Sequence, residues 1–118
     1  MKTLVIGASA NPQRYSFLAI NKLLDHNHDV EAIGLKNDTV ASVKIQTGFP
    51  DLKNIHTVTL YVNPTHQKEY YDYIIGLKPQ RVIFNPGTEN PELYQLLEQN
   101  NIAYEVACTL VLLSINQF

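Results

Sequence analysis

The stretch "GASANPQRYS", residues 7–16, follows the apolar run "TLVI" with small residues, hydroxyls, an asparagine, a proline and an arginine. Residues of these types do one kind of chemistry well, which is to hold an anion. Backbone N–H groups around Ala8 to Asn11, the Ser9 hydroxyl, the Arg14 guanidinium and a helix N-terminus near Ser16 can together surround a phosphate. The same residues also suit a tight strand-to-helix turn in which Gly7 and Ser9 only provide room and Arg14 is a solvated charge. Both readings stand at this point.

Two familiar nucleotide signatures do not fit. A dinucleotide fingerprint needs glycines at the first, third and sixth positions of its turn, for the bend, the pyrophosphate approach and the helix packing. Only Gly7 satisfies it, since Ser9 and Pro12 occupy the other two places. The acid that would bind an adenosine ribose after the second strand is missing, and Lys36 stands near that point. A cation there suits a phosphate better than a diol. No GxxxxGK[ST] sequence occurs, which argues against P-loop hydrolysis of ATP or GTP.

Catalysis calls for an activated group set against a base or an electrophile, and no such set stands out. His26 and His28 sit two apart at an expected helix end without a third ligand nearby, so no metal is expected. His56 and His66 flank the third expected strand, roughly 20 Å apart at about 3.3 Å per residue. Lys68, Glu69 and Asp72 read as the wet side of a helix whose other side, Tyr70, Tyr73, Ile74 and Leu77, either packs on a sheet or meets another copy of the chain.

These residues must be positioned by elements that alternate along the chain. The strand candidates are 2–6, 29–34, 57–62, 81–84 and 103–107; the helix candidates are 16–26, 65–76, 91–99 and 109–118. Strands joined by helical crossovers run parallel, with helices on both faces, which predicts a doubly wound α/β domain over residues 1–118. Residues 35–56 show no helical period and read as a loop or fragmentary elements. Four Asn-Pro pairs, at 11–12, 63–64, 85–86 and 90–91, punctuate the alternation, and three follow expected strands. They either merely stop strands or shape the carboxyl rim where ligands of open α/β sheets bind.

Composition narrows the function classes. A formal net charge of −2 argues against nucleic acid as a partner. One cysteine allows no intrachain disulfide, and the apolar runs are too short for a secretory signal or a membrane span, so a cytoplasmic protein is expected.

"GASANPQRYS", "LYVNP", "FNPGTENPEL" and "ACTLVLL", in that order and spacing, resemble the small stand-alone CoA-binding proteins, whose domain is similar to the N-terminal CoA-binding domain of the succinyl-CoA synthetase α subunit. The resemblance covers essentially the whole chain. It implies a Rossmann-like open parallel sheet of five strands, order 3-2-1-4-5, that takes CoA or an acyl-CoA along its carboxyl edge. It further implies that Gly7, Ala8, Ser9, Pro12 and Arg14 surround the pyrophosphate, with Lys36 by the adenosine phosphate. Val62, Asn63 and Pro64 would line the adenine side, and Asn85, Pro86, Gly87 and Glu89 the pantetheine path. Cys108 is either a small buried hydrophobe or faces the pantetheine thiol and exchanges with a CoA disulfide. The expected function is non-catalytic binding, as a sensor or carrier. A nucleotide-dependent enzyme, of NAD type or as a ligase partner subunit, and a structural module without a ligand are the alternatives.

Overall fold

Leu4, Val5 and Ile6 are all fully buried because β1 (Lys2–Ala8) runs through the middle of the sheet with helices over both faces. The structure is a computed structural model that describes all 118 residues. Seven strands form one sheet. Besides β1 they are β2 (Asp29–Gly34), β3 (Asp38–Val40), β4 (Val43–Gln46), β5 (Ile55–Leu60), β6 (Arg81–Phe84) and β7 (Ala103–Val106), in spatial order β3-β4-β2-β1-β5-β6-β7. Every pairing is parallel except that of β3 with β4.

This corrects the expected five-stranded, all-parallel arrangement. The two additional strands form a hairpin inside residues 35–56, where only a loop or fragments were expected, and β4 then adds parallel to β2. Among the five expected strands the order is 2-1-3-4-5 rather than 3-2-1-4-5, because β5 pairs directly with β1 and the place outside β2 is taken by β4. The hairpin turns through Ala41 at φ 53°, a conformation usually given to Gly or Asn in such turns. Val43 and Ile45 alternate inward while Lys44 points out, which is the period-2 signature of a half-buried strand.

Two apolar clusters hold the helices to the sheet. Alternate residues of β1 divide between them: Leu4 and Ile6 join Ile74, Leu93 and Leu97 on one face, and Val5 joins Ile20, Leu23 and Leu113 on the other. The first face therefore carries α3 (Tyr71–Leu77) and α4 (Pro91–Gln99), and the second carries α1 (Tyr15–Asp25) and α5 (Thr109–Ser114). No helix is long and apolar enough to cross a membrane.

The helix expected over 65–76 is broken into α2 (Pro64–Gln67), a 3-10 turn (Lys68–Tyr70) and α3. At three residues per turn, positions three apart eclipse, and this brings Gln67 and Tyr70 to the buried side together. Tyr70 and Tyr73 pack inward around Phe49, and the Tyr73 hydroxyl donates to the Pro50 carbonyl at 2.7 Å.

The Asn-Pro pairs do three different jobs. Asn63 and Asn90 are N-caps, each accepting a backbone N–H three residues on with proline in the first helical turn. Asn11 accepts from Gln13 N–H and closes a local turn, whereas Asn85 is buried at the end of β6.

Gly7 has φ 95°, and a Cβ there would lie 2.7 Å from the carbonyl carbon and oxygen of Tyr61. The chain leaving β5 crosses β1 at that point with no room for a side chain. Gly7→Ala is expected to destabilise the protein by about 3 kcal/mol. Gly87→Ala, at φ 92° but with no atom near the added Cβ, should cost only about 1–2 kcal/mol. Urea unfolding of both variants measures the difference, and equal losses would assign the Gly7 effect to backbone conformation alone.

Candidate functional site

The strand order reverses at β1, where β2 departs to one side and β5 pairs on the other, so the loops leaving β1 and β5 diverge at the carboxyl edge. Open α/β sheets bind ligands in the crevice made by such a divergence. Here the loops after β1, β2, β5 and β6 enclose a cleft of about 810 Å³, within the range of small-molecule sites.

Neutral side chains tie the loops after β5 and β6 together. Asn85 donates to Thr59 Oγ1 at 2.7 Å and to the Leu60 carbonyl at 2.8 Å, and its Oδ1 accepts the Thr109 N–H that starts α5. The Thr88 hydroxyl donates to the Asn85 carbonyl, and Gln67 Nε2 reaches both the Val62 and the Thr88 carbonyls. Asn85, Thr88 and Gln67 are all buried, so each of these bonds replaces water that the site excludes.

The β1–α1 loop is built differently. Ser9 Oγ accepts from Asn11 N–H at 3.1 Å and the Arg14 N–H bonds the Asn11 carbonyl at 3.0 Å, which curls residues 9–14 into a compact turn. The N–H groups of Ser9, Ala10, Tyr15 and Ser16 then donate to no other group of the chain. Arg14 caps α1 without a side-chain hydrogen bond, and no acid occupies the first helical turn, so the positive helix end is not neutralised locally. Arg14 and Lys36 take part in none of the three ion pairs of the chain. Asp38 and Glu69 also border the cleft, but from β3 and the 3-10 turn rather than from this loop.

Of the residues singled out from the sequence, Gly7, Ala8, Ser9, Arg14, Ser16, Lys36, Val62, Asn63, Pro86 and Gly87 line this one cleft. Pro12, Pro64, Asn85, Glu89 and Cys108 do not. Pro12 is exposed on the loop, Pro64 opens α2, and Asn85 is the buried tie just described. The Glu89 carboxylate accepts the Gly87 N–H at 2.8 Å, so it closes its own loop. Cys108 is the half-buried residue preceding α5. The cleft also takes in residues that sequence reasoning passed over. Tyr61 and Thr88 lie inside the quoted motifs, and Gly34 and Leu35 sit next to Lys36, so their neighbourhood was readable. Asp38 and Ile45 belong to the hairpin, whose turn carries no glycine or asparagine to announce it.

Tyr61 combines a place on the cleft with a buried hydroxyl that forms no hydrogen bond. Burial pushes its pKa up to about 12, and Cys108 adds to that push. The Thr109 and Thr59 hydroxyls lie near enough to offset part of it without closing a well-aligned bond, since they bond each other at 2.8 Å. The phenol therefore stays neutral and supplies no base at ordinary pH.

A family model described as a CoA binding domain matches residues 1–114. A crystal structure of an uncharacterized protein is 45% identical, with a TM-score of 0.96 over 99% of this chain and 97% of that one. A hypothetical protein from Pyrococcus horikoshii OT3 is 26% identical, with a TM-score of 0.82 over 92% of this chain and 78% of its own. A structure from Thermus thermophilus, 19% identical with a TM-score of 0.86 over 99% and 90%, shares the fold. No curated protein matches the chain.

The buried phenol makes a prediction about alkaline stability. Unfolded tyrosine loses its proton near 10 and folded Tyr61 near 12, so its contribution is full below pH 10 and is lost as pH climbs through that interval. Tyr61→Phe removes an unpartnered buried hydroxyl and should leave stability at pH 7 unchanged or raise it by up to about 1 kcal/mol. Urea unfolding at pH 9, 10 and 11 should show a shallower alkaline decline in the variant, and an equal or steeper decline would contradict this account.

Proposed function

Because the chain belongs to the CoA-binding domain family, we propose that it binds CoA or an acyl-CoA in the carboxyl-edge cleft without transforming it, as a sensor or carrier. One observation carries the reading. Four N–H groups without acceptors in the chain, those of Ser9, Ala10, Tyr15 and Ser16, surround a loop that also bears the unpaired Arg14. A diphosphate offers the acceptors and the charge that such a corner lacks. The residues at hand therefore fit the group.

In this reading the diphosphate rests on the Ser9–Ala10 amides and the start of α1, with Arg14 closing over it and the Ser9 hydroxyl free to donate. Lys36, exposed and without a carboxylate partner, meets the 3′-phosphate of the adenosine. Val62 and Asn63 form the adenine side, and the wall of Pro86, Gly87 and Thr88 takes the pantetheine arm. Bound CoA would supply a thiol or thioester; the chain's own share is to hold and orient the carrier. Besides the neutral Tyr61 phenol the cleft carries His66, Asp38 and Glu69, and the His66 ring hydrogen-bonds to neither carboxylate; the lack of an oriented acid–base pair supports retention rather than reaction.

Calorimetric titration with CoA, dephospho-CoA and NAD tests the assignment. CoA should bind tightest, and equal or absent binding of all three would end it. Arg14→Ala should weaken CoA by about 1.5–3 kcal/mol, the range for a hydrogen bond to a charged group. Lys36→Ala should narrow the gap between CoA and dephospho-CoA while leaving dephospho-CoA unchanged; an equal loss for both would place Lys36 elsewhere.

A further inference from the structure

Gln67 is fully buried although its side chain is polar, and all of its bonds lead to the cleft's surroundings. Nε2 donates to the Val62 carbonyl at 2.8 Å and to the Thr88 carbonyl at 2.7 Å, while Oε1 accepts from Asn90 Nδ2 at 2.8 Å. Val62 and Thr88 belong to the loops after β5 and β6, and both line the cleft. Gln67 is the one side chain whose amide donates to a carbonyl in each loop. Its own backbone is anchored at the end of α2, and Asn90 holds its oxygen, so the amide has little freedom to turn.

Neither loop is tied to the other by backbone pairing beyond Phe84, where β6 ends. Their separation is therefore decided by side chains. We infer that Gln67 is a positioning residue that sets the spacing between the Val62 and Thr88 walls, and through that spacing the affinity of the cleft for its ligand. Gln suits the place for a physical reason. A single planar amide presents two N–H donors at a fixed angle and can hold two carbonyls at once. A carboxylate would face both oxygens with like charge, and an apolar side chain would leave both carbonyls buried without a donor. The inference rests on the reading of the cleft as a CoA site, so its test includes a measurement that needs no ligand.

Gln67→Met keeps the length and approximate volume of the side chain and removes the amide. Nitroxide labels at Thr65→Cys, beside the Val62 wall, and Pro86→Cys, both exposed positions, in a Cys108→Ser background report the wall-to-wall distance by dipolar electron resonance. The variant should broaden or lengthen that distance distribution, and in the unlabelled protein it should raise the CoA dissociation constant tenfold or more while a cooperative thermal transition remains. An unchanged distance distribution together with a dissociation constant within twofold of the parent overturns the inference. So does loss of any cooperative transition in Gln67→Met at 10 °C, since Gln67 would then be a requirement of folding and not a determinant of cleft width. If the parent protein binds no CoA, the ligand assignment falls, and the distance measurement alone decides the role of Gln67.

Discussion

Carbonyl groups that leave the sheet at its carboxyl edge are buried before they reach water, and each must find a donor there. A buried acceptor left without one costs about 1–3 kcal/mol. The carbonyls of Leu60, Val62, Asn85 and Thr88 are served by Asn85, Gln67, Thr88 and Gln67 in turn. All of these donors are neutral amides or a hydroxyl, so the rim is held without the desolvation penalty that buried charges bring. The same bonds bring the loops after β5 and β6, the end of α2 and the start of α5 into one fixed frame.

That neutral frame leaves charge free to be used where it is exposed. Two of the three ion pairs lie toward the opposite edge or the lateral sheet surface, with Lys2 at the start of β1 and Arg81 at the start of β6. Arg81 also bonds Thr57 and stacks on Phe118, so its charge is fully employed. Arg14 and Lys36, by contrast, keep their charge available at the cleft. The division fits a fold in which one edge supports and the other receives.

Much of this was legible in the sequence because the central strands are short apolar runs with turn chemistry at each end. Leu4 to Ile6 and Val82 to Phe84 read as buried strands and are fully buried. The Asn-Pro pairs were equally plain as stops in the alternation, and those at Asn63 and Asn90 serve as helix N-caps. The hairpin of β3 and β4 was not readable, because three- and four-residue strands carry too little periodicity and Ala41 adopts a positive φ without announcing it. Without the hairpin, the order 3-2-1-4-5 that the resemblance implied fell on the wrong strands, because the place outside β2 belongs to β4. At the site, Ser9, Arg14 and Lys36 were visible as residue types suited to an anion. The part played by Gln67 was not, because its importance lies in two main-chain oxygens that are 26 residues apart. Asn85 illustrates the opposite error, a residue rightly noticed for its place in the chain but turned inward when folded.

The hairpin also decides how the sheet ends. A parallel strand left bare at a border presents a row of main-chain groups that a neighbouring molecule could copy. Here that border is a three-residue antiparallel strand whose first two residues, Asp38 and Thr39, are solvated, and the Asp38 carboxylate already caps the Thr39 amide. A stub so short and so polar offers little template, which protects the molecule against fibre-like growth from that flank.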